Sequence, residues 1–428
     1  MKISQKAILH LDADSFFASV EIAKNPKLQG HAVVTGLERG IATSMSTEAK
    51  ALGIPRGMPV FKIKKFFPKV KIVHSDYESY ALYSNRIFNI VRRYTNLVEK
   101  YSIDECFADL TGADKAFKCS YIELIARIQR EVDIELNISV SLGIGPTKVL
   151  AKVGSKYNKP HGLTVIDQGK INTYLKNVPI GKVWGIGYRT QKVLNTKGIK
   201  TAYDFVSISE EYLDVFANKP IKEIWYELKG ISLLDVSLDT NELPKSISKT
   251  KTFHPNTRDP KILLSELSRN VENACIKARA SGVVAKHIVW YIKSSEMKYY
   301  GLEFSLEKHT NIPTDIFPVL RDQFQKVFNP KNIYRATGVT FYNLKDKNIF
   351  QKELFQSPID NDKNKAIYAA VDELREKYGR HVVSLASSLY AHKNESDIYD
   401  LAHSQASILK KFNRGGKEVS IPYLGEVT

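Results

Sequence analysis

The chain has 428 residues, more than one compact core accommodates, so roughly three or four domains are expected. It is 43% hydrophobic and 25% charged, an ordinary soluble composition, and no run of about twenty apolar residues could span a membrane. A formal charge of +17 and a pI near 9.4 point to a polyanionic partner, either nucleic acid or an acidic membrane surface.

The charge is concentrated. Residues 245–345 hold 17 Lys and Arg against 8 Asp and Glu, which is +9 in under a quarter of the chain. Three widely spaced cysteines, Cys106, Cys119 and Cys275, make neither a disulfide framework nor a C-x-x-C pair. They read as small buried hydrophobes in a reducing compartment, so a cytoplasmic protein is expected. The first residues enter a strand-like pattern at once, which argues against a signal peptide.

In chain order, residues 7–12 form a short apolar run that reads as a buried strand ending in Asp12. Residues 15–30 read as helical, with Phe16, Phe17, Val20 and Ile22 on the inner side, and 77–94 as a long helix. Residues 98–102 and 106–110 read as two strands joined in a tight hairpin at Ile103-Asp104-Glu105. A helix is expected at 120–134, with Ile122, Ile125, Ile128 and Val132 inward. A strand at 138–144, a tight turn at Gly143-x-Gly145 and a helix at 147–157 follow. This order is that of a split βαβ sheet with helices on one face.

Beyond residue 165 the texture changes. Residues 167–235 read as helical around a Gly185-Ile186-Gly187 turn, and 237–245 as a polar linker. The basic segment mixes strands at 284–292, 299–306 and 336–341 with a helix at 262–281. A helix near 363–378 precedes a weak tail.

Two acidic sites stand out. Asp12-Ala13-Asp14 ends the first strand, and Asp104-Glu105 lies at the hairpin about ninety residues later. If the two strands are neighbours, these carboxylates converge and repel unless a cation lies between them. Hard divalent ions prefer oxygen ligands, and a pair of them can activate a hydroxyl and stabilise a leaving pyrophosphate. Taken alone, acidic residues at strand ends are more often solvated turn residues.

Context decides between these readings. Asp12-Ala13-Asp14-Ser15-Phe16-Phe17-Ala18-Ser19-Val20-Glu21 and Tyr101-Ser102-Ile103-Asp104-Glu105-Cys106-Phe107 strongly resemble the Y-family of translesion DNA polymerases. The likeness continues through Tyr77-Glu78-x-Tyr80, Ser84-Asn85-Arg86, Ser141-Leu142-Gly143-Ile144-Gly145 and Asn158-Lys159-Pro160-x-Gly162, in the family's order. It covers about residues 7–345. It implies an α+β multidomain, right-hand polymerase with a ferredoxin-like palm (1–14 and 74–166), small fingers (15–73) and a helical helix-hairpin-helix thumb (167–236). An α/β little finger (245–345) and a C-terminal tail (346–428) complete it.

The resemblance also implies roles. Asp12 and Asp104 bridge two Mg²⁺ ions, with the Ala13 carbonyl as a further ligand and Glu105 as the third carboxylate at both metal and primer terminus. Phe17 falls at the steric gate against the incoming sugar, and Lys159 reaches the triphosphate. Thr47 and Lys50 stand where many relatives have tyrosine and arginine; lysine keeps the charge and loses bidentate geometry. Asp14 and Asp109 are expected to hold strands by hydrogen bonds. Gly185 and Gly187 let backbone amides approach a DNA phosphate.

The expected partners are primer-template DNA, dNTP and, through Gln351, Leu354 and Phe355 of a Gln-x-x-Leu-Phe peptide, a sliding clamp. The DinB and UmuC branches stay open, since Glu48-Ala49-Lys50-Ala51-Leu52-Gly53 leans to UmuC and Phe17 to DinB. A UmuC-like protein would need accessory subunits. Low-fidelity synthesis past lesions is expected, because short fingers check base-pair shape weakly. The alternatives are a non-catalytic DNA-binding or scaffolding relative with the same fold, and a nucleotide cyclase sharing the sheet.

Overall fold

A computed structural model describes residues 6–238, 243–348, 358–378 and 382–391. The described residues up to 238 fall in one compact unit and those from 243 onward in a second.

The first unit is built on a five-stranded sheet. In chain order its elements begin with β1 (Ile8–Ala13) and α1 (Phe16–Lys24). A small excursion follows: β2 (Val33–Thr35), β3 (Ser44–Met45), α2 (Thr47–Ala51), α3 (Val60–Phe66) and β4 (Lys71–Val73). The chain returns through α4 (Tyr77–Arg92), the hairpin β5 (Val98–Lys100) and β6 (Glu105–Asp109), and the short α5 (Ala113–Ala116). Then come α6 (Tyr121–Leu136), β7 (Val140–Gly145), α7 (Lys148–Tyr157) and β8 (Leu163–Val165). Strand order is β5-β6-β1-β7-β8, antiparallel except for the last pair, so β6 inserts between β5 and β1 as in a split βαβ.

Side chains alternate along β1. Leu9, Leu11 and Ala13 face a core shared with α4 and α6, which includes Tyr83, Ile87, Phe88, Ile125, Ile128 and Val132. Burying each leucine fully stabilises the unit by about 2 kcal/mol. Ile8 and His10 face the opposite way, against Ala151 and Ser155 of α7. The helices therefore cover both faces and not the single face expected from sequence. The cause lies in β1, which is buried along its whole length and so reads as an unbroken apolar run. Ile122, expected inward on α6, is exposed, and Leu124 takes the inner position. Ser120 and Glu123 form a reciprocal capping box that starts this helix.

Gly143 and Gly145 are strand residues of β7 and not a turn. A Cβ on Gly143 would meet the Ser155 amide nitrogen at 2.2 Å and the Ala151 carbonyl oxygen at 2.3 Å. The missing side chain lets the α7 backbone lie directly on the sheet.

The excursion packs its own small core, with Val34, Met45, Ala49 and Ile63, around the sheet β3-β2-β4. After β8 come α8 (Ile171–Leu175), α9 (Tyr188–Thr196), α10 (Ala202–Ser207), α11 (Glu210–Asp214) and α12 (Lys219–Leu228). Their core includes Val149, Leu150 and Val153 of α7, so this helical region is seated on α7. Glu227, fully buried on α12, accepts the Val149, Leu233 and Leu234 amides. A carboxylate there also complements the positive end of α7.

The second unit is α/β. Strands β9 (Ile247–Thr257), β10 (Val283–Ser294), β11 (Tyr299–Thr310) and β12 (Tyr334–Tyr342) lie in the order β11-β10-β12-β9, all antiparallel, and β13 (Lys345–Asp346) pairs with β10. Helices α13 (Pro260–Ala280) and α14 (Pro313–Val327) share a core with them through Leu263, Leu267, Val271, Ile316 and Leu320 against Ile288, Trp290, Val339 and Phe341. α15 (Pro358–Tyr378) follows and is joined to α13 by the Arg279–Asp372 pair at 2.6 Å. No described helix is long and apolar enough to cross a membrane.

Candidate active site

Two strand ends meet here. Asp12 and Glu105 are direct cross-strand partners of β1 and β6, and the Ala13 amide donates to the Asp104 carbonyl at 2.9 Å. The pairing delivers Asp12, Asp104 and Glu105 to one edge of the sheet, as the sequence reading requires. Their immediate partners differ.

Asp12 is buried, and its Oδ1 accepts from Lys159 Nζ at 2.6 Å. Burial pushes its pKa up to about 6; Lys159 opposes this, while the Glu105 and Asp104 charges add to it. The carboxylate is thus held where negative charge is costly, and a cation would relieve it. Asp104 is half-buried, and its Oδ1 accepts from the Ser102 hydroxyl at 2.5 Å.

Glu105 is taken up elsewhere. Its Oε2 accepts from Lys152 Nζ at 2.6 Å and lies 3.8 Å from His10 Nε2. Burial alone would raise its pKa, but the imidazole and the ammonium hold it well below the usual carboxylate range. His10 is fully buried, with its Nδ1 2.6 Å from the Ser155 hydroxyl, and burial lowers its pKa to about 4. Among the described residues no three acidic, imidazole or thiol groups close on one point as a ready-made cage. Mg²⁺ ordinarily uses one or two carboxylates and completes its shell with phosphate oxygens and water, which the Asp12 and Asp104 pair fits.

Asp14 is buried. It accepts from the Ser139 and Ser141 hydroxyls and the His161 amide, and Lys159 Nζ stands 3.2 Å away. Asp109 accepts the amide and hydroxyl of Thr111 in a local turn. The Asp14 arrangement matches the strand-holding expectation, while the Asp109 bonds stay within the turn after β6. Lys159 therefore bridges Asp12 and Asp14, and those charges outweigh the burial that would lower its pKa.

Phe17 lies half-buried on α1, one residue past fully packed Phe16. Its ring stacks on Tyr80 of α4, with centroids 4.3 Å apart. Lys50 on α2 donates to the Ser15 hydroxyl at 2.7 Å; burial, then Lys159 and Arg56, lower its pKa. Lys50, Arg56 and Lys159 thus form a cationic group beside the carboxylates, of which Arg56 was not foreseen. Thr47 is exposed at the start of α2 and lines a cavity of about 420 Å³ with Ser46, Asp133 and His161. Lys152 and His10 were also missed; the signal for Lys152 was the spacing of Lys148, Lys152 and Lys156 along one helix face, and that for His10 was its place two residues before Asp12 on the same strand.

Gly185 has a φ of +86°, and a Cβ there would come within 2.5 Å of Ile224 Cδ1. Gly187 caps α9 with open space around it. The element before this turn is a single 3₁₀ turn, Ile180–Lys182, not a full helix. Gln351, Leu354 and Phe355 lie outside the described residues.

A split βαβ palm with opposed strand-end carboxylates, a small excursion beside them and a glycine hairpin seated on the palm helix define a right-hand nucleic-acid polymerase. The impB/mucB/samB family model matches residues 11–156, its C-terminal domain 244–354 and the helix-hairpin-helix motif of the same family 169–199. DNA polymerase IV of Clostridium perfringens is 30% identical over 365 residues, covering 84% of this chain and 100% of that protein. DNA polymerase IV of Desulfatibacillum aliphaticivorans is 29% identical over 391 residues, covering 90% and 97%. A Y-family DNA polymerase chimera built on Dbh superposes with a TM-score of 0.67 at 24% identity, over 79% of this chain and 99% of that one, which shows the shared fold.

The chain belongs to the Y family of DNA polymerases, in its DinB-type branch. It is a DNA-directed DNA polymerase that carries out translesion synthesis. The branch question left by the motifs is thereby resolved, and the scaffold reading is not favoured.

Proposed function

We propose that Asp12 and Asp104 hold two Mg²⁺ ions with the Ala13 carbonyl, and that the enzyme joins dNTP to a primer 3′-hydroxyl. The observation that carries this reading is the cross-strand register of Asp12 with Glu105, which sets buried Asp12 beside like charges at one sheet edge. Bound there, the metal pair would activate the hydroxyl and stabilise the leaving pyrophosphate. Asp12 and Asp104 orient the reacting ends, and Glu105, kept ionised by Lys152, places its charge beside the primer terminus.

Phe17, braced by Tyr80, closes the space a 2′-hydroxyl would need. Lys159 and Lys50, with Thr47 at the start of α2, meet the triphosphate charge. Gly185 and Gly187 bring amides to the DNA backbone, and the basic 245–345 unit grips it without reading sequence. Domain limits follow the same reading: palm 1–14 and 74–166, fingers 15–73, thumb 167–236, little finger 245–345. The 346–428 tail would carry the clamp peptide Gln351, Leu354 and Phe355. The DinB-type assignment favours action without accessory subunits.

Primer extension with Mg²⁺ on undamaged and abasic templates, comparing wild type with Asp104→Ala, tests the reading. Extension by wild type that disappears in the variant supports it. Equal extension by both would remove Asp104 from the metal site.

A further inference from the structure

Lys152 is an unusual cation. It is 5% exposed, in the middle of α7, and has one carboxylate partner, Glu105. A buried ammonium costs several kcal/mol unless it is well paired. The remainder of its surroundings is aromatic: Nζ lies 4.3 Å from the Tyr101 ring centroid, 5.4 Å from Trp184 and 6.0 Å from Phe107. Electron-rich faces attract a desolvated cation and leave it no route to another acceptor.

Tyr101 and Phe107 belong to one hairpin, Trp184 comes from a distant part of the chain, and the three rings are fixed to one another. Trp184 Nε1–H donates to the Tyr101 hydroxyl at 2.9 Å, and the two rings meet edge to face at 5.3 Å and 81°. Trp184 also lies on Phe107 at 5.4 Å. Trp184 immediately precedes Gly185 of the thumb hairpin, and Tyr101 lies three residues before Asp104. The chain of contacts therefore runs from the hairpin, through Tyr101 and Lys152, to Glu105.

One turn earlier on α7, Lys148 offers a comparison. It too lies against Phe107, at 4.8 Å, and pairs with Glu99 at 2.8 and 2.7 Å. Glu99 also accepts the Ser237 amide and so ties down backbone after α12. Among the described residues the Glu105 carboxylate accepts from no backbone amide; beyond Lys152 its near partner is buried His10. The Lys152 arrangement fixes the orientation of one carboxylate at the reacting edge.

We propose that Trp184 and Tyr101 are positioning residues that clamp Lys152 onto Glu105, so that the thumb hairpin and the reactive carboxylate are set in place together. This rests on the role given to Glu105 above. The clamp adds no contact to DNA or nucleotide. It converts correct seating of the hairpin into correct placement of a charge beside the primer terminus, and a small displacement there lowers the rate steeply.

Trp184→Phe and Tyr101→Phe each keep a ring under Lys152 and remove one partner of the same hydrogen bond. Single-turnover extension rates are measured for both, for the double variant, for Glu105→Gln, and for Trp184→Phe on the Glu105→Gln background. DNA affinity without nucleotide and the melting temperature are measured alongside. The expected result is a fall in rate of about tenfold for each single variant, and the same fall for the double. No further fall is expected on the Glu105→Gln background, with DNA affinity and melting temperature unchanged. Wild-type rates in both single variants, or effects that add fully to Glu105→Gln, would overturn the clamp alone. Unimpaired extension by Glu105→Gln would overturn the role of Glu105, and the clamp with it. Loss of DNA affinity in step with rate would show that Trp184 serves the hairpin and not the carboxylate.

Discussion

Phe17 and Tyr80 stack face to face, with ring centroids 4.3 Å apart and planes 11° from parallel. Tyr77 meets both rings edge-on, at 5.6 and 5.5 Å, and the Tyr80 hydroxyl donates to Glu21 Oε1 at 2.8 Å. Tyr80 is fully buried, so the Phe17 ring rests against a rigid backstop. Phe17→Ala is expected to raise ribonucleotide insertion relative to deoxyribonucleotide by roughly a hundredfold, the scale on which an apolar pocket rejects an added hydroxyl. Tyr80→Ala, which leaves Phe17 in place and unbraced, should shift the ratio in the same direction by less. Steady-state insertion of single ribo- and deoxyribonucleotides measures both, and an unchanged ratio in Phe17→Ala would remove it from the sugar site.

Asp12 and Asp14 are two residues apart and share Lys159, yet they should respond differently to substitution. Asp14 satisfies one buried and one half-buried hydroxyl and one amide, and removing it takes away their acceptor. Asp14→Ala is expected to destabilise the first unit by about 3 kcal/mol. Asp12 lies among like charges, so Asp12→Ala should abolish extension and leave the melting temperature close to wild type. Thermal melts paired with primer extension separate the two residues. A collapse of stability in Asp12→Ala would make Asp12 a structural residue.

Much of this arrangement is legible in the chain because it rests on local pattern. The apolar run before Asp12, the hairpin about Asp104 and the three-and-four spacing on α6 each announce an element, and register then brings the carboxylates together. What escaped lies in pairings across distance. Lys152 meets Glu105 across 47 residues and Trp184 meets Tyr101 across 83, and nothing local names the distant partner. β9 escaped because its run of Ser, Lys and Thr alternates without a clear apolar face. α14 escaped because Pro318 interrupts a helical pattern that nonetheless closes over Trp290 through Phe324.

Asp76 caps α4, the helix that carries Tyr77 and Tyr80. Its side chain accepts the Ser79 amide and hydroxyl, and Lys24 donates to it at 2.5 Å. Burial would raise its pKa, but Lys24 and Ser79 outweigh burial and lower it. A carboxyl whose folded pKa is depressed contributes stability that is fully present above its unfolded value, near 3.9. That contribution is lost as pH falls through the folded pKa. Asp76→Ala is therefore expected to cost about 1 kcal/mol at neutral pH and progressively less as pH falls below about 3.9. Urea melts of both proteins across that range measure it. A cost that persists undiminished in acid would mean the cap does not depend on charge.

The open face of the second unit carries Lys293 on β10, whose Nζ contacts the Tyr299 hydroxyl at 2.8 Å and sits 4.4 Å from that ring's centroid. A lysine braced on an aromatic ring is well placed to meet a phosphate, and such a contact releases bound counterions from DNA. Lys293→Ala should weaken primer-template binding by a similar factor for every sequence tested. The slope of log affinity against log salt should fall by about 0.9 for duplex DNA. Lys293→Arg should keep the slope, since it keeps the charge. Fluorescence anisotropy with two unrelated duplexes at several salt concentrations reads all three quantities. Weakening confined to one duplex would mean that this face reads bases, and an unchanged slope would place the DNA on another part of the basic unit.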